Sequence, residues 1–400
     1  MKCSRRILGV EASPVRKLVP YANEAVKNGK KVYHLNIGQP DIKTPELFMD
    51  AVRKYDKDTI AYVPSNGLPE LIDAVRGYYS NYGMEYAFDE VLITQGGSEA
   101  LLFTLLALLD VGDQVLVVEP YYANYNTIFR ALEIDVVAIK SKSEEGFHLP
   151  SKEVIDEVIK NNPKIKAALV TNPNNPTGTV YTKEEMKLIT DVVKENDIFV
   201  ISDEVYREFV YEGSECASLG TMEGLDQNLI IIDSISKRYS ACGARIGCVL
   251  SKNKEVISQI YKMCQVRLAA PELEQIGAIA LYQTPQTYFK EINAEYTRRR
   301  DVLFEELNKM EGVVCFLPEG AFYTMVKLPV DDAEKFVIWL LSEFEIDGET
   351  IMMAPGEGFY ATEGAGVNEV RIAYVLNEKD LRKAMHILGE GLKQYPGKTN

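Results

Sequence analysis

The 400-residue sequence predicts an α/β protein: a mainly parallel central sheet with helices on both faces, and a smaller α+β domain beside it. Two observations lead there. Short β-branched runs alternate with longer amphipathic stretches through the middle of the chain, and that rhythm breaks at both flanks. The runs are also apolar without interruption, as strands covered on both faces are, where a strand with one wet face would alternate.

Residues 1–44 form an arm rich in proline and turn residues, with one strand candidate at Val32–Ile37. Strand candidates follow at Val91–Thr94, Val115–Val118, Asp135–Ile139, Ala167–Thr171, Ile198–Ser202 and Leu229–Ile232. Between them the periodicity predicts helices over Ser98–Leu109, Tyr125–Leu132 and Lys183–Asn196. The last opens with Thr182-x-x-Glu185, in which two side chains satisfy each other's free backbone N–H groups. A long charged helix is predicted over Tyr288–Met310, then a strand at Phe322–Lys327, a helix at Ala333–Phe344, a strand at Val370–Tyr374 and a closing helix at Glu378–Gln394. The expected division is a large domain over 45–287 and a small one built from 1–44 and 288–400, with the Tyr288–Met310 helix bridging them.

Acidic residues number 59 and basic ones 44, for a net charge of −15. That sign repels polyanions and argues against sequence-independent nucleic-acid binding, while leaving room for a local basic pocket. Six scattered cysteines without a Cys-x-x-Cys, and only three histidines, predict reduced thiols and no zinc site. The start, up to Glu11, lacks the apolar core of a signal peptide. The longest apolar stretch, Leu101–Leu109, is too short to span a bilayer. A soluble cytoplasmic protein is expected.

Ligands of open α/β sheets bind outside the carboxyl ends of the strands. The residues just after each run are therefore informative. Gln95-Gly96-Gly97-Ser98 leads into a helix, where backbone N–H groups can converge on a phosphate. Glu119-Pro120-Tyr121-Tyr122 brings an aromatic ring to the rim. Asn172-Pro173-Asn174-Asn175-Pro176-Thr177-Gly178 holds amides in a rigid turn. Asp203 and, three residues on, Tyr206 come after the next run. Asp233-Ser234-Ile235-Ser236-Lys237, then Gly243-Ala244-Arg245, come after the last. A phosphate cradle, a stacking ring, an amide, a carboxylate, a phenol, a lysine and an arginine on one rim suit a planar, anionic, aldehyde-bearing aromatic cofactor.

These segments resemble the class I aminotransferases, pyridoxal-phosphate (PLP) enzymes of fold type I. The resemblance runs from Gly38-Gln39-Pro40-Asp41 to Val370-Arg371-Ile372 and is most specific at Asn175-Pro176-Thr177-Gly178, Asp203-x-x-Tyr206 and Ser234-x-Ser236-Lys237 with Arg245 eight residues on. It implies that Lys237 forms the Schiff base and shuttles the proton, and that Asp203 pairs with the pyridine nitrogen. Tyr206 and Asn175 would bond the ring oxygen, and Tyr122 would stack on the ring. Gly97, Ser98, Ser234, Ser236 and Arg245 would hold the phosphate. Tyr62 would reach the phosphate of a neighbouring subunit, which requires a homodimer. Arg371 would clamp the substrate α-carboxylate beside the backbone of Gly38.

In one branch of the aspartate aminotransferases, an arginine ten residues before a glycine binds the side-chain carboxylate across the dimer. Arg267 and Gly277, with Pro271 between them, have that spacing. The other branch places a lysine where this chain has Ser98. The resemblance therefore implies a ping-pong aminotransferase whose donor is aspartate or glutamate, with a 2-oxo acid as acceptor. A PLP-dependent C–S lyase on the same framework, or a preference for aromatic or other donors, stays open. Ser234-x-x-Lys237 also fits an acyl enzyme, but the partner motifs are missing. Gly356-x-Gly358-x-x-Ala361 comes directly after Pro355 and reads as a loop. A PLP-binding regulator would need a DNA-reading module, and neither the charge nor the stretch before Gly38 favours one.

Overall fold

The computed structural model describes residues 3–10 and 13–399. The readings that touch Met1, Lys2, Glu11, Ala12 and Asn400 lie outside the described residues.

Seven strands form the central sheet. In spatial order they are Val91–Thr94, Gly247–Leu250, Leu229–Ser234, Phe199–Asp203, Ile165–Thr171, Gln114–Glu119 and Asp135–Lys140. Every neighbouring pair from Leu229–Ser234 to Asp135–Lys140 is parallel. Gly247–Leu250, which the sequence reading did not include, is antiparallel to both its neighbours. It returns the chain after the Lys237 turn. Alternate side chains of the strands feed two separate cores. Val200, Ile231 and Cys248 enter one, while Ile201, Ile230, Ile232 and Val249 enter the other. That is why these runs are apolar throughout. Asp135–Lys140 departs from the prediction: it is the sheet edge, and Ile139 alone of its six residues is fully buried.

Helices Gly97–Leu108, Asn124–Leu132 and Lys183–Asn196 lie within a residue of their predicted limits. The Thr182 hydroxyl accepts from Glu185 N–H at 3.2 Å, and Glu185 returns the bond to Thr182 N–H at 2.7 Å. Helices Glu46–Arg53, Pro69–Ser80, Lys152–Asn161, Lys254–Arg267 and Glu272–Leu281 complete the layers on this sheet.

The flanks meet in a third core. Strand Lys31–His34, shorter than predicted, pairs in parallel with Glu349–Met352, so the N-terminal arm and the C-terminal segment share one small sheet. A second sheet orders Ala354–Pro355, Glu369–Ala373, Tyr323–Lys327 and Val314–Cys315, all antiparallel. Helix Gln286–Leu307 begins two residues before the predicted start and ends three early. Its Phe289 packs in a core of the large sheet, and its Ile292, Tyr296, Leu303 and Leu307 pack in the third core. One helix thus packs in both cores. Gly356 to Ala361 is a loop with a short 3-10 turn. No described helix is long and apolar enough to cross a membrane, and all six cysteines are free.

Candidate active site

Lys237 sits on the single helical turn Ile235–Arg238 after strand Leu229–Ser234. Ser234 caps that turn, its hydroxyl accepting from Ser236 N–H at 3.1 Å. Lys237 Nζ donates to the Gly38 carbonyl at 2.8 Å and lies 3.7 Å from Cys242 Sγ. Burial by itself pushes this amine down. Tyr323, Cys242 and Tyr122 around it outweigh that and hold it above the usual lysine range.

Asp203 ends strand Phe199–Asp203 in the neighbouring register and is buried. Its Oδ2 accepts from the Tyr125 hydroxyl at 2.5 Å, and its Oδ1 accepts from Val205 N–H at 3.2 Å. Tyr125 also bonds Thr171 at 3.0 Å. Burial pushes the Asp203 carboxyl up to about 6, although Tyr125 and Val205 both favour its ionised form.

The third charged group comes from the four-stranded antiparallel sheet. Arg371 on strand Glu369–Ala373 is buried. It donates to Asn175 Oδ1 at 3.0 Å and to the Asn36 carbonyl at 2.5 Å, while its Nε has no hydrogen-bond partner. The guanidinium stands over the Tyr323 ring at 4.4 Å and the Phe359 ring at 5.0 Å. Asn175 Nδ2 donates to Tyr206 Oη at 3.5 Å, and Tyr206 Oη lies 2.9 Å from Tyr323 Oη. Tyr122 is half-buried, accepts from Asn124 at 3.0 Å and sits edge-to-face with Tyr125.

A cradle opens at the N-terminus of helix Gly97–Leu108. Gly96 has φ +78°, and a Cβ there would stand 2.3 Å from Arg245 Nη2. A Cβ on Gly97 would stand 4.0 Å from the Ser234 Cβ. Ser98 is exposed in the first turn. The Ser234 and Ser236 hydroxyls are 2.7 Å apart. Arg245 reaches Ser236 Oγ at 3.5 Å and the Gln95 carbonyl at 3.4 Å. Glycine backbone, two hydroxyls and a guanidinium therefore converge where a phosphate could sit.

Two of the residues singled out in the sequence do not join this pocket within one chain. Tyr62 projects into solvent, 85% exposed. Arg267 is largely buried and donates to the Ser65 and Ile93 carbonyls at 3.2 and 3.1 Å, with Glu99 at 3.5 Å. A separate cleft of about 1330 Å³ between helix Arg5–Leu8 and the Glu357–Glu363 loop contains none of Lys237, Asp203, Arg245 or Arg371. Tyr125 and Tyr323 were not singled out in the sequence. Tyr125 had a signal, since it opens the predicted helix Tyr125–Leu132 three residues after Tyr122 at the rim. Tyr323 had none, because its nearness to Arg371 depends on cross-strand register, in which Met325 faces Arg371 and Tyr323 is the diagonal neighbour.

Residues 30–388 match the family model described as aminotransferase class I and II. The chain belongs to that aminotransferase family. This aminotransferase is 30% identical to a probable aspartate/prephenate aminotransferase of Aquifex aeolicus (strain VF5), over 97% of this chain and 98% of that one. Its fold matches Thermus thermophilus aspartate aminotransferase with maleate at a TM-score of 0.89 and 29% identity, covering 98% of this chain and all of that one. An alanine aminotransferase from Pyrococcus furiosus matches equally, at a TM-score of 0.89 and 31% identity over the same shares. The enzyme is a transferase of the PLP-dependent type, with the α/β fold of that group.

The pocket's residues fit PLP. Among the described residues, Asp203, Lys237, Arg245 and Arg371 enter no ion pair. The residues next to two of them in sequence do: Glu204 with Arg207 at 3.0 Å, and Arg238 with Asp233 at 2.5 Å. Buried charges are normally paired. Here the buried Asp203 carboxylate and Arg371 guanidinium have no ionic partner, and with the half-buried Lys237 amine and the exposed Arg245 guanidinium they are complementary to a cationic ring nitrogen, a carboxylate, an aldehyde and a phosphate.

Proposed function

We propose that this aminotransferase takes its amino group from an acidic amino acid, aspartate or glutamate, and passes it to a 2-oxo acid in a shared-site homodimer. The observation that carries the assignment of roles is the set of four unpaired charges. Lys237 is the residue that bonds the cofactor and then, as a free amine, moves the proton off and onto the substrate Cα. When bound, PLP supplies the aldehyde that captures the amino group and a cationic ring that accepts the electron pair of the breaking Cα–H bond.

Asp203 holds the ring nitrogen's proton. A buried carboxylate with no cation of its own gains most from such a partner. Asn175 and Tyr206 would hold the ring oxygen, and Tyr122 would stack on the ring. Gly97, Ser98, Ser234, Ser236 and Arg245 hold the phosphate. Arg371, with one N–H unpartnered, takes the α-carboxylate through its fork, beside the backbone of Gly38. The proposed division of labour keeps 45–287 as the cofactor body, with 1–44 and 288–400 bringing Arg371 to it.

The dimer is supported by one exposed patch. Tyr62, Ile60, Val266 and Leu268 are all exposed apolar residues. The Arg267 bond to the Ser65 carbonyl holds their two segments side by side. A partner covering this patch would receive Tyr62 and Arg267 at its own pocket. The acidic donor is supported by the names of the relatives and by Arg267. Alanine is the second reading, favoured by the Pyrococcus neighbour.

Single-turnover absorbance with aspartate, glutamate, alanine and an aromatic amino acid tests the donor. We expect the two diacids to react with the highest kcat/KM and Arg267→Ala to lower that preference at least about tenfold relative to the aromatic donor. A preference for alanine, or one indifferent to Arg267→Ala, overturns the acidic reading. Release of pyruvate and ammonia from a thioether amino acid without an acceptor would instead mark a C–S lyase.

A further inference from the structure

Tyr323 lies on strand Tyr323–Lys327, in the body that carries Arg371, yet its hydroxyl stands at the centre of the pocket's hydrogen bonds. It is buried, 2.9 Å from Tyr206 Oη and 3.5 Å from the Gly38 carbonyl that also accepts from Lys237. A Cβ on Gly38 would stand 1.6 Å from this hydroxyl, so the two occupy one crowded point.

The protons around this point can be counted. Asn175 Oδ1 accepts from Arg371, so its Nδ2 faces Tyr206 Oη as a donor. Gly38 O only accepts. Each phenol has a single proton. If Tyr206 donated to Tyr323, it would have nothing left for an anionic ring oxygen. The Tyr323 proton has two acceptors within reach, Gly38 O at 3.5 Å, which already takes Lys237 at 2.8 Å, and Tyr206 Oη at 2.9 Å; if it goes to the nearer one, the Tyr206 proton is free to point at the cofactor. A hydrogen bond accepted by Tyr206 Oη also polarises its O–H and makes it the stronger donor.

We propose that Tyr323 is a positioning residue. Its hydroxyl donates to Tyr206 Oη and commits the Tyr206 proton to the ring oxygen of the bound cofactor. The proposal rests on the reading that Lys237 carries PLP. The other charged and titratable groups facing the pair are Lys237 and Cys242 after strand Leu229–Ser234, Tyr122 at the rim, Asp203, Arg371 on the neighbouring strand, and Tyr296 on helix Gln286–Leu307. Tyr323→Phe alters none of them chemically, and it keeps the ring that packs against Phe322 at 4.9 Å and beneath Arg371.

The test is the pH midpoint of the visible absorbance of the lysine-bound cofactor, measured on holoenzyme without substrate. Tyr323→Phe is expected to raise that midpoint by about 0.5–1 unit, since the ring oxygen's anion loses support. Tyr206→Phe should raise it at least as far, and the double variant should match Tyr206→Phe alone. Tyr323→Leu should shift the midpoint as Tyr323→Phe does, because the hydroxyl is what matters. An unchanged midpoint in Tyr323→Phe, whatever its melting temperature, overturns the proposal. A shift that adds fully to that of Tyr206→Phe also overturns it. A wild-type protein with no pH-dependent visible band would remove the reading on which the proposal rests, and the proposal with it.

Discussion

The backbone carbonyl of Gly38 accepts a hydrogen bond from Lys237 Nζ at 2.8 Å, across 199 residues of chain. The arm that begins the protein thereby touches the group that ends the last parallel strand. No side chain fits at Gly38, because Tyr323 fills the space a Cβ would need. Gly38→Ala should displace the Tyr323 ring, destabilise the protein by about 1–3 kcal/mol and lower kcat/KM by roughly 10–100-fold. Urea unfolding and steady-state kinetics on the same preparation check both numbers.

Asp203 should make the cofactor-free protein more stable at low pH than at high pH. Its folded pKa of about 6 lies above its ordinary 3.8, so the folded state holds more protons than the unfolded one between those values. Stability therefore falls as pH rises through that window, by about 3 kcal/mol in the limit. Asp203→Asn removes this dependence. Asparagine accepts at one oxygen only and cannot serve both Tyr125 and Val205, so the net gain is about 1 kcal/mol above roughly pH 7, reversing below about pH 4. Thermal melts of apoprotein across that range check the crossing, and the variant should lose transamination.

Arg371 is held by Asn175 and the Asn36 carbonyl before any substrate arrives. Its fork is thus oriented in advance, which lowers the cost of binding a carboxylate. Arg371→Lys keeps the charge and loses the fork. Its KM for the amino donor should rise by roughly 100-fold with a smaller change in kcat. An isosteric amine lacking the carboxylate should react equally poorly with both proteins.

Beneath the pocket, Asp233 accepts from Arg238 at 2.5 Å, from Tyr79 at 2.9 Å and from Ser234 N–H at 2.7 Å. This pair brackets Ser234 and Lys237 and holds their turn. Arg238→Met leaves a carboxylate buried without its cation and should cost about 3–5 kcal/mol. Asp233→Asn with Arg238→Met should recover most of that, because no uncompensated charge remains. Denaturant midpoints of the three proteins decide it.

Much of this was legible in the chain. The strand runs, the Thr182 cap and the closing helix Glu378–Gln394 obey local rules, and the structure keeps them nearly residue for residue. The rim residues were legible because each comes directly after a strand, so that local order and spatial order coincide. The Gly247–Leu250 strand was missed because four residues after a turn carry too little pattern. The Asp135–Lys140 strand was misjudged because apolar composition does not reveal which strand lies at an edge.

Periodicity and short spacing were enough to specify the α/β architecture and the position of Lys237, Asp203 and Arg245 on one rim, and the motifs around those residues carried the resemblance to the family. Which groups are partnered and which stand alone depended on the folded packing. Glu204 is neutralised and Asp203 is not, though they are neighbours, because their side chains leave the chain on opposite sides. Tyr323 became a pocket residue only when antiparallel register set it diagonal to Arg371 and against Gly38. Contacts of that kind span hundreds of residues and arise where segments far apart in the chain pack together, for which no local pattern in the chain exists.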